Sequence, residues 1–162
     1  MLPKDWELLD IQMDGLRRHV DMGRPLIAKA KDADPDPVEV LALSAFLHGF
    51  YNGVERVLSV IARGTGERRP GMPKSEMWHQ QLLDSMTVAA DKRPPLFTPE
   101  QHRDMFEYLR FRHVFRHAYW EELQWSRMRP LVLDLLRVYE TFLASVEAFR
   151  RAMADSNSGG KI

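Results

Sequence analysis

Apolar positions recur at three- and four-residue steps along most of the chain, the spacing of amphipathic helices. Trp6, Leu8, Leu9, Met13, Leu16 and Val20 mark the first helix, which continues or re-forms past Pro25 through Ala30. Asp32-Ala33-Asp34-Pro35-Asp36-Pro37 is a break, because a residue before proline is pushed out of helical geometry. Asp36 then offers an N-cap, Pro37 a first helical residue and Glu39 the reciprocal partner of a capping box. Leu43, Phe46, Leu47, Phe50, Val54, Val57, Leu58 and Ile61 give this second helix one apolar face as far as Gly64. Three Gly and two Pro between Gly64 and Lys74 predict a loop.

Ser75 caps a shorter helix expected to run to about Ala90, with Trp78, Leu82, Leu83 and Met86 inward, and Arg93-Pro94-Pro95 ends it. Thr98-Pro99-Glu100-Gln101 repeats the cap, proline and N3 amide pattern and opens a helix that should reach about Trp120. A last helix is expected from about Ser126 to Ala154. Val132, Leu135, Leu136, Tyr139, Phe142, Leu143, Val146 and Phe149 point inward, and Pro130 lies near its first turn. Hairpin signals, internal repeats and an interdomain linker are absent. The pattern predicts an all-α, up-and-down bundle of about five helices, a single domain over residues 1–154 with a flexible tail over 155–162.

A length of 162 residues suits one domain that needs no staple to fold. Lys plus Arg number 23 and Asp plus Glu 23, so the net charge is zero, which excludes a polycation coating nucleic acid by bulk charge. Any phosphate chemistry must occupy a local basic patch. The absence of cysteine excludes disulfides, thiolate metal sites and a Cys nucleophile. Met1 to Trp6 lacks a signal-peptide core, and the nearly apolar stretch Val40 to Leu47 is far short of the roughly 20 residues that span a bilayer. The expected location is the cytoplasm, with no membrane partner.

One stretch changes the picture. Arg110-Phe111-Arg112-His113-Val114-Phe115-Arg116-His117-Ala118-Tyr119-Trp120 holds three Arg, two His and no acid. On a helical wheel Arg112, Arg116, His113 and His117 fall within about 140° of one another. Tyr108, Phe111, Phe115 and Tyr119 cluster on another side, at about 260–340° from Arg112. A solvated face of stacked guanidinium groups is one reading of such a helix. RNA chemistry is another: His moves protons near neutrality, and Arg holds a phosphate while its charge grows. His113 and His117 are four apart, yet neither an H-E-x-x-H pattern nor a third ligand accompanies them, so no metal or other cofactor is expected. His48 and His79 read as hydrogen-bonded structural histidines, and Glu55 as the partner of a basic group. Arg112 and His117 lie about 140° and roughly 7.5 Å of rise apart, so one chain does not readily aim both at one phosphate. A two-fold pair of such helices would, which points to a homodimer with its site at the interface.

The residues resemble a known family. Arg112-x4-His117-x-Tyr119 is similar to the R-x4-H-x-Y motif of HepT-like ribonuclease toxins of the HEPN superfamily. Leu47-His48-Gly49-Phe50-Tyr51-Asn52-Gly53-Val54-Glu55-Arg56 resembles the family's L-H-N-F-Y-N-G-I-E-R helix, and Trp78-His79-Gln80-Gln81-Leu82-Leu83 its W-H-x-x-L-L element. Arg93-Pro94-Pro95 and Phe111 to Tyr119 complete four blocks in the family's order, over roughly residues 40–135.

The resemblance implies a metal-independent endoribonuclease toxin that dimerises with its motifs facing each other. By motif position, Arg112 stabilises the phosphate, His117 acts as acid or base, and His113 and Arg116 assist in holding RNA. Tyr119 is the residue that a separate nucleotidyltransferase antitoxin, MntA-like, would silence by adenylylation. Trp120 stands where many relatives have Gly, a departure that bears on substrate preference. Two other readings stay open: a non-catalytic HEPN-like module that binds a nucleotide or RNA and a nucleotidyltransferase partner, and a purely structural dimerisation bundle.

Overall fold

The structure, a computed structural model, describes residues 1–67, 77–117 and 123–158. Five helices account for the regular structure there: α1 Pro3–Asp32, α2 Pro37–Gly64, α3 Met77–Ser85, α4 Pro99–His117 and α5 Trp125–Ser158. The expected all-α bundle is therefore the fold, with no β-strand among the described residues.

Capping sets the helix starts. Asp36 accepts from the backbone N–H groups of Val38 and Glu39 at 2.8 and 2.9 Å, and Glu39 returns a bond from the Asp36 N–H at 3.1 Å. Thr98 and Gln101 exchange the same pair of bonds at the head of α4. Both capping boxes satisfy N–H groups that the first helical turn leaves unpaired. Ser75, the expected cap of α3, lies outside the described residues.

Three elements differ from the sequence reading. α1 runs unbroken through Pro25, which is exposed, so the carbonyl that loses its helical partner can turn to water. α3 stops at Ser85 rather than near Ala90, because the buried Arg93 guanidinium takes over its end. Arg93 donates to the carbonyls of Ser85 at 2.7 Å and of Val88 and Pro94 at 3.1 Å, and pairs with Glu67. α5 continues through Ser158, past the expected end at Ala154.

Helix α2 is the centre of the bundle and touches all four others. It is buried on most sides, including Leu43, Leu47, Phe50, Tyr51, Val54 and Leu58 at 0% exposure, so it reads as apolar almost all round. α1 approaches it unusually closely. A Cβ on Gly23 would fall 2.2 Å from the Phe46 ring, and one on Gly49 would fall 2.4 Å from the His19 ring. His19 uses the gap to stack on Phe46 at 4.8 Å and to donate from Nε2 to the Phe46 carbonyl at 2.9 Å.

The directions of the long helices follow from their pairings. His19 meets Phe46 and Asp5 lies beside Gly64, so α1 and α2 are antiparallel. Phe50 meets Tyr108 and His48 meets Phe115, so α4 returns against α2. Tyr108 donates to the Leu131 carbonyl and Asp104 pairs with Arg137, so α5 turns back again. The bundle is up-and-down, with short α3 wedged between α2 and α4.

Candidate functional site

Residues 110–117 of the basic stretch form the last two turns of α4, and its expected continuation to about Trp120 lies outside the described residues. Its aromatic side packs as the wheel predicts: Tyr108 and Phe111 are buried, and half-buried Phe115 stacks near Phe111 and against the His48 ring, 4.8 Å away. With that side anchored on α2, the rest of the helix turns Arg110, Arg112, His113 and Arg116 toward α3. These four line a cleft of about 300 Å³ between α3 and α4, with Phe106 and Leu109 as its apolar floor. His79 and Gln80 of α3 form the opposite wall. No carboxylate is among the described residues that line it.

Arg112 is the anchored cation of the site. Its Nε donates to Asn52 Oδ1 of α2 at 2.8 Å, across sixty positions of sequence. A guanidinium held at Nε keeps its terminal nitrogens as a fork suited to phosphate. Asn52 lies within the L-H-G-F-Y-N-G block but carries no role in the sequence reading; the block itself was the signal that could have found it. Arg110 pairs with Glu107 at 3.2 Å in the preceding turn, so the basic run has an acid beside it on the helix.

Two histidines diverge from the sequence expectation or refine it. His79 is hydrogen-bonded as expected: its Nδ1 lies 2.5 Å from Glu55 Oε2, and both side chains are largely buried. Glu55 thereby meets the basic partner foreseen for it. His48 does not have the expected bond at Nδ1, which is buried with no hydrogen-bond partner among the described residues. Burial, then the charges of Arg112 and Arg116, hold the His48 pKa below its ordinary value, so the neutral ring is favoured there. Next to Asn52 in the chain, Tyr51 is wholly buried, its hydroxyl has no hydrogen-bond partner among the described residues, and burial followed by repulsion from Glu55 raises its pKa.

His113 and His117 are both exposed at the end of α4. Their rings lie 4.7 Å apart, and His117 Nδ1 donates to the His113 carbonyl at 2.9 Å. The structure thus gathers Arg112, His113 and Arg116 around one cleft, while His117, next after Arg116 at the helix end, is outside its lining. Tyr119 and Trp120 lie outside the described residues. Among the described residues no three His, Asp or Glu side chains are grouped to hold a metal ion. No helix among them is long and apolar enough to cross a membrane.

Comparison with curated proteins and with solved structures finds no match. The sequence model of a family described as HepT-like protein matches residues 42–153. That span takes in most of α2, the cleft walls on α3 and α4, and most of α5. The Asn52–Arg112 contact, the Glu55–His79 pair and the basic end of α4 thus all fall inside the matched region of a helical bundle, and the chain belongs to the HepT-like family.

Proposed function

We propose that the protein is a metal-independent endoribonuclease toxin that works as a homodimer. The observation that carries this reading is the cleft in which Arg112, fixed by Asn52, stands with Arg110, Arg116 and His113, with no carboxylate among its described lining residues. An RNA phosphate seated there meets permanent positive charge, and the apolar floor of Phe106 and Leu109 offers a face for a base.

In this mechanism a 2′-hydroxyl attacks its own phosphate. His117 takes the hydroxyl proton, and Arg112 stabilises the charge that gathers on the non-bridging oxygens. The P–O5′ bond breaks, leaving a 2′,3′-cyclic phosphate on one fragment and a 5′-hydroxyl on the other. Because His117 lies beyond the cleft of its own protomer, a facing protomer supplies it, which is why the active form is a dimer. Family membership supports a toxin context. A separate MntA-like nucleotidyltransferase is the proposed antitoxin, with Tyr119 as the site of adenylylation.

The test is cleavage of RNA in excess EDTA by the wild type and by His117→Ala, with the ends identified. Cutting by the wild type alone, to 2′,3′-cyclic phosphate ends, is expected. No cutting by unmodified wild-type protein would favour a non-catalytic binding module. The exposed position of His117, away from the Arg112 cleft, is the observation on that side. In that case His117→Ala would leave RNA binding intact while Arg112→Ala weakens it.

A further inference from the structure

The wall of the cleft opposite the arginines carries a second proton-transfer group. His79 on α3 lines the same space as Arg112, and its Nδ1 is engaged by Glu55 of α2 at 2.5 Å. With Nδ1 committed to the carboxylate, Nε2 is the ring nitrogen left to meet a ligand. A carboxylate at one imidazole nitrogen fixes the tautomer and ring orientation and stabilises the imidazolium, the arrangement a proton donor needs. Both partners are mostly shielded, with side chains 17% and 14% exposed, so the pair is a built part of the wall rather than a surface ion pair.

We propose that His79, oriented by Glu55, is the general acid of the cleft, protonating the leaving 5′-oxygen of a phosphodiester held by Arg112. This rests on the ribonuclease reading above. The balance is complete: the 2′-oxygen forms a bond to phosphorus and its proton goes to His117. The P–O5′ bond breaks, and O5′ takes the proton from His79 Nε2. Each ring then returns to its starting state by exchange with water. Charged groups face His79 from both neighbouring helices: Glu55 from α2, and Arg110, Arg112, His113 and Arg116 from α4.

The experiment compares wild type, His79→Gln, Glu55→Gln and Arg112→Ala on two RNAs of one sequence. One is natural, and the other carries a bridging 5′-sulfur at the cut, a leaving group that needs no proton. His79→Gln should slow the natural RNA about 100-fold and the sulfur-bridged RNA little. Glu55→Gln should show a smaller loss with the same pattern, and Arg112→Ala should slow both. Equal slowing of both RNAs by His79→Gln, or no slowing of either, would overturn the acid role and leave the ribonuclease reading standing. Failure of the wild type to cut either RNA would overturn both. Thermal melting of each variant separates a folding defect from a chemical one.

Discussion

Asn52 on α2 accepts a hydrogen bond from Arg112 Nε on α4 at 2.8 Å, and this contact orients the one arginine that both the motif and the cleft single out. It ties the basic helix to the most deeply buried helix of the bundle, so the guanidinium is placed by the core rather than by solvent. Asn52→Ala removes the hydrogen bond that holds Nε, while Asn52 is itself only half-buried. A hydrogen bond to a charged group contributes about 1.5–3 kcal/mol, so RNA cleavage should fall about 10–100-fold. The loss should appear in kcat more than in KM, with the melting temperature nearly unchanged. A large drop in stability instead would make Asn52 a folding residue.

Arg116 tests the electrostatic character of the cleft. Each phosphate contact to a single strand contributes about 0.7 to the slope of log affinity against log salt. Arg116→Ala should lower that slope by roughly 0.7, measured by RNA binding across a salt series. An unchanged slope would place the RNA elsewhere on the protein.

Arg93 is a structural arginine with an assignable job. Its side chain is fully shielded and closes α3 by binding three carbonyls and Glu67. Arg93→Ala strands those groups and should cost about 3–5 kcal/mol, the usual price of breaking a buried pair. Arg93→Lys should recover little of it, since an ammonium lacks the planar fork that reaches several acceptors at once. Urea unfolding of the two variants measures both effects.

The close approach of α1 to α2 predicts unequal costs for two alanines. Gly23→Ala drives a Cβ into the buried Phe46 ring and should destabilise by about 1–3 kcal/mol. Gly49→Ala meets His19, which is half-buried and can swing aside by giving up its bond to Phe46. Its net cost should be smaller, because alanine also gains about 1 kcal/mol of helix propensity over glycine. Denaturant midpoints of the two variants decide the order.

His48 makes stability depend on pH. Its folded pKa is lowered from the ordinary 6.5, chiefly by burial and then by Arg112 and Arg116. The unfolded chain therefore binds the proton more readily than the folded one. This contribution to stability is full above about pH 6.5, and is lost as pH falls through the folded value. His48→Phe keeps a ring against Phe115 and removes the titration. The variant's stability should fall less than the wild type's between pH 7 and pH 5.

Local rules made most of the helices legible. The capping boxes at Asp36 and Thr98 each join residues only three positions apart in sequence. The apolar periodicities placed the cores of α2, α4 and α5, and the aromatic side of α4 fell where the wheel put it. Tertiary context moved the rest. Arg93 ends α3 early by reaching back eight positions to Ser85. Pro25 fails to break α1 because the packing of Leu16, Val20 and Ile27 on either side of it keeps both halves on one axis.

The sequence by itself determined the all-α class, the starts of α2 and α4, the family blocks and the concentration of Arg and His on one helix end. These rest on spacings of three to eight residues, which chain connectivity enforces. Only the tertiary structure decided that Asn52 holds Arg112, that Glu55 holds His79, and that both arrangements face one cleft. It alone left His48 Nδ1 buried with no hydrogen-bond partner among the described residues. Those relationships join side chains 24 and 60 positions apart. They exist because burying α2 against its neighbours brings three helices to a common edge, a juxtaposition that no periodicity along the chain encodes.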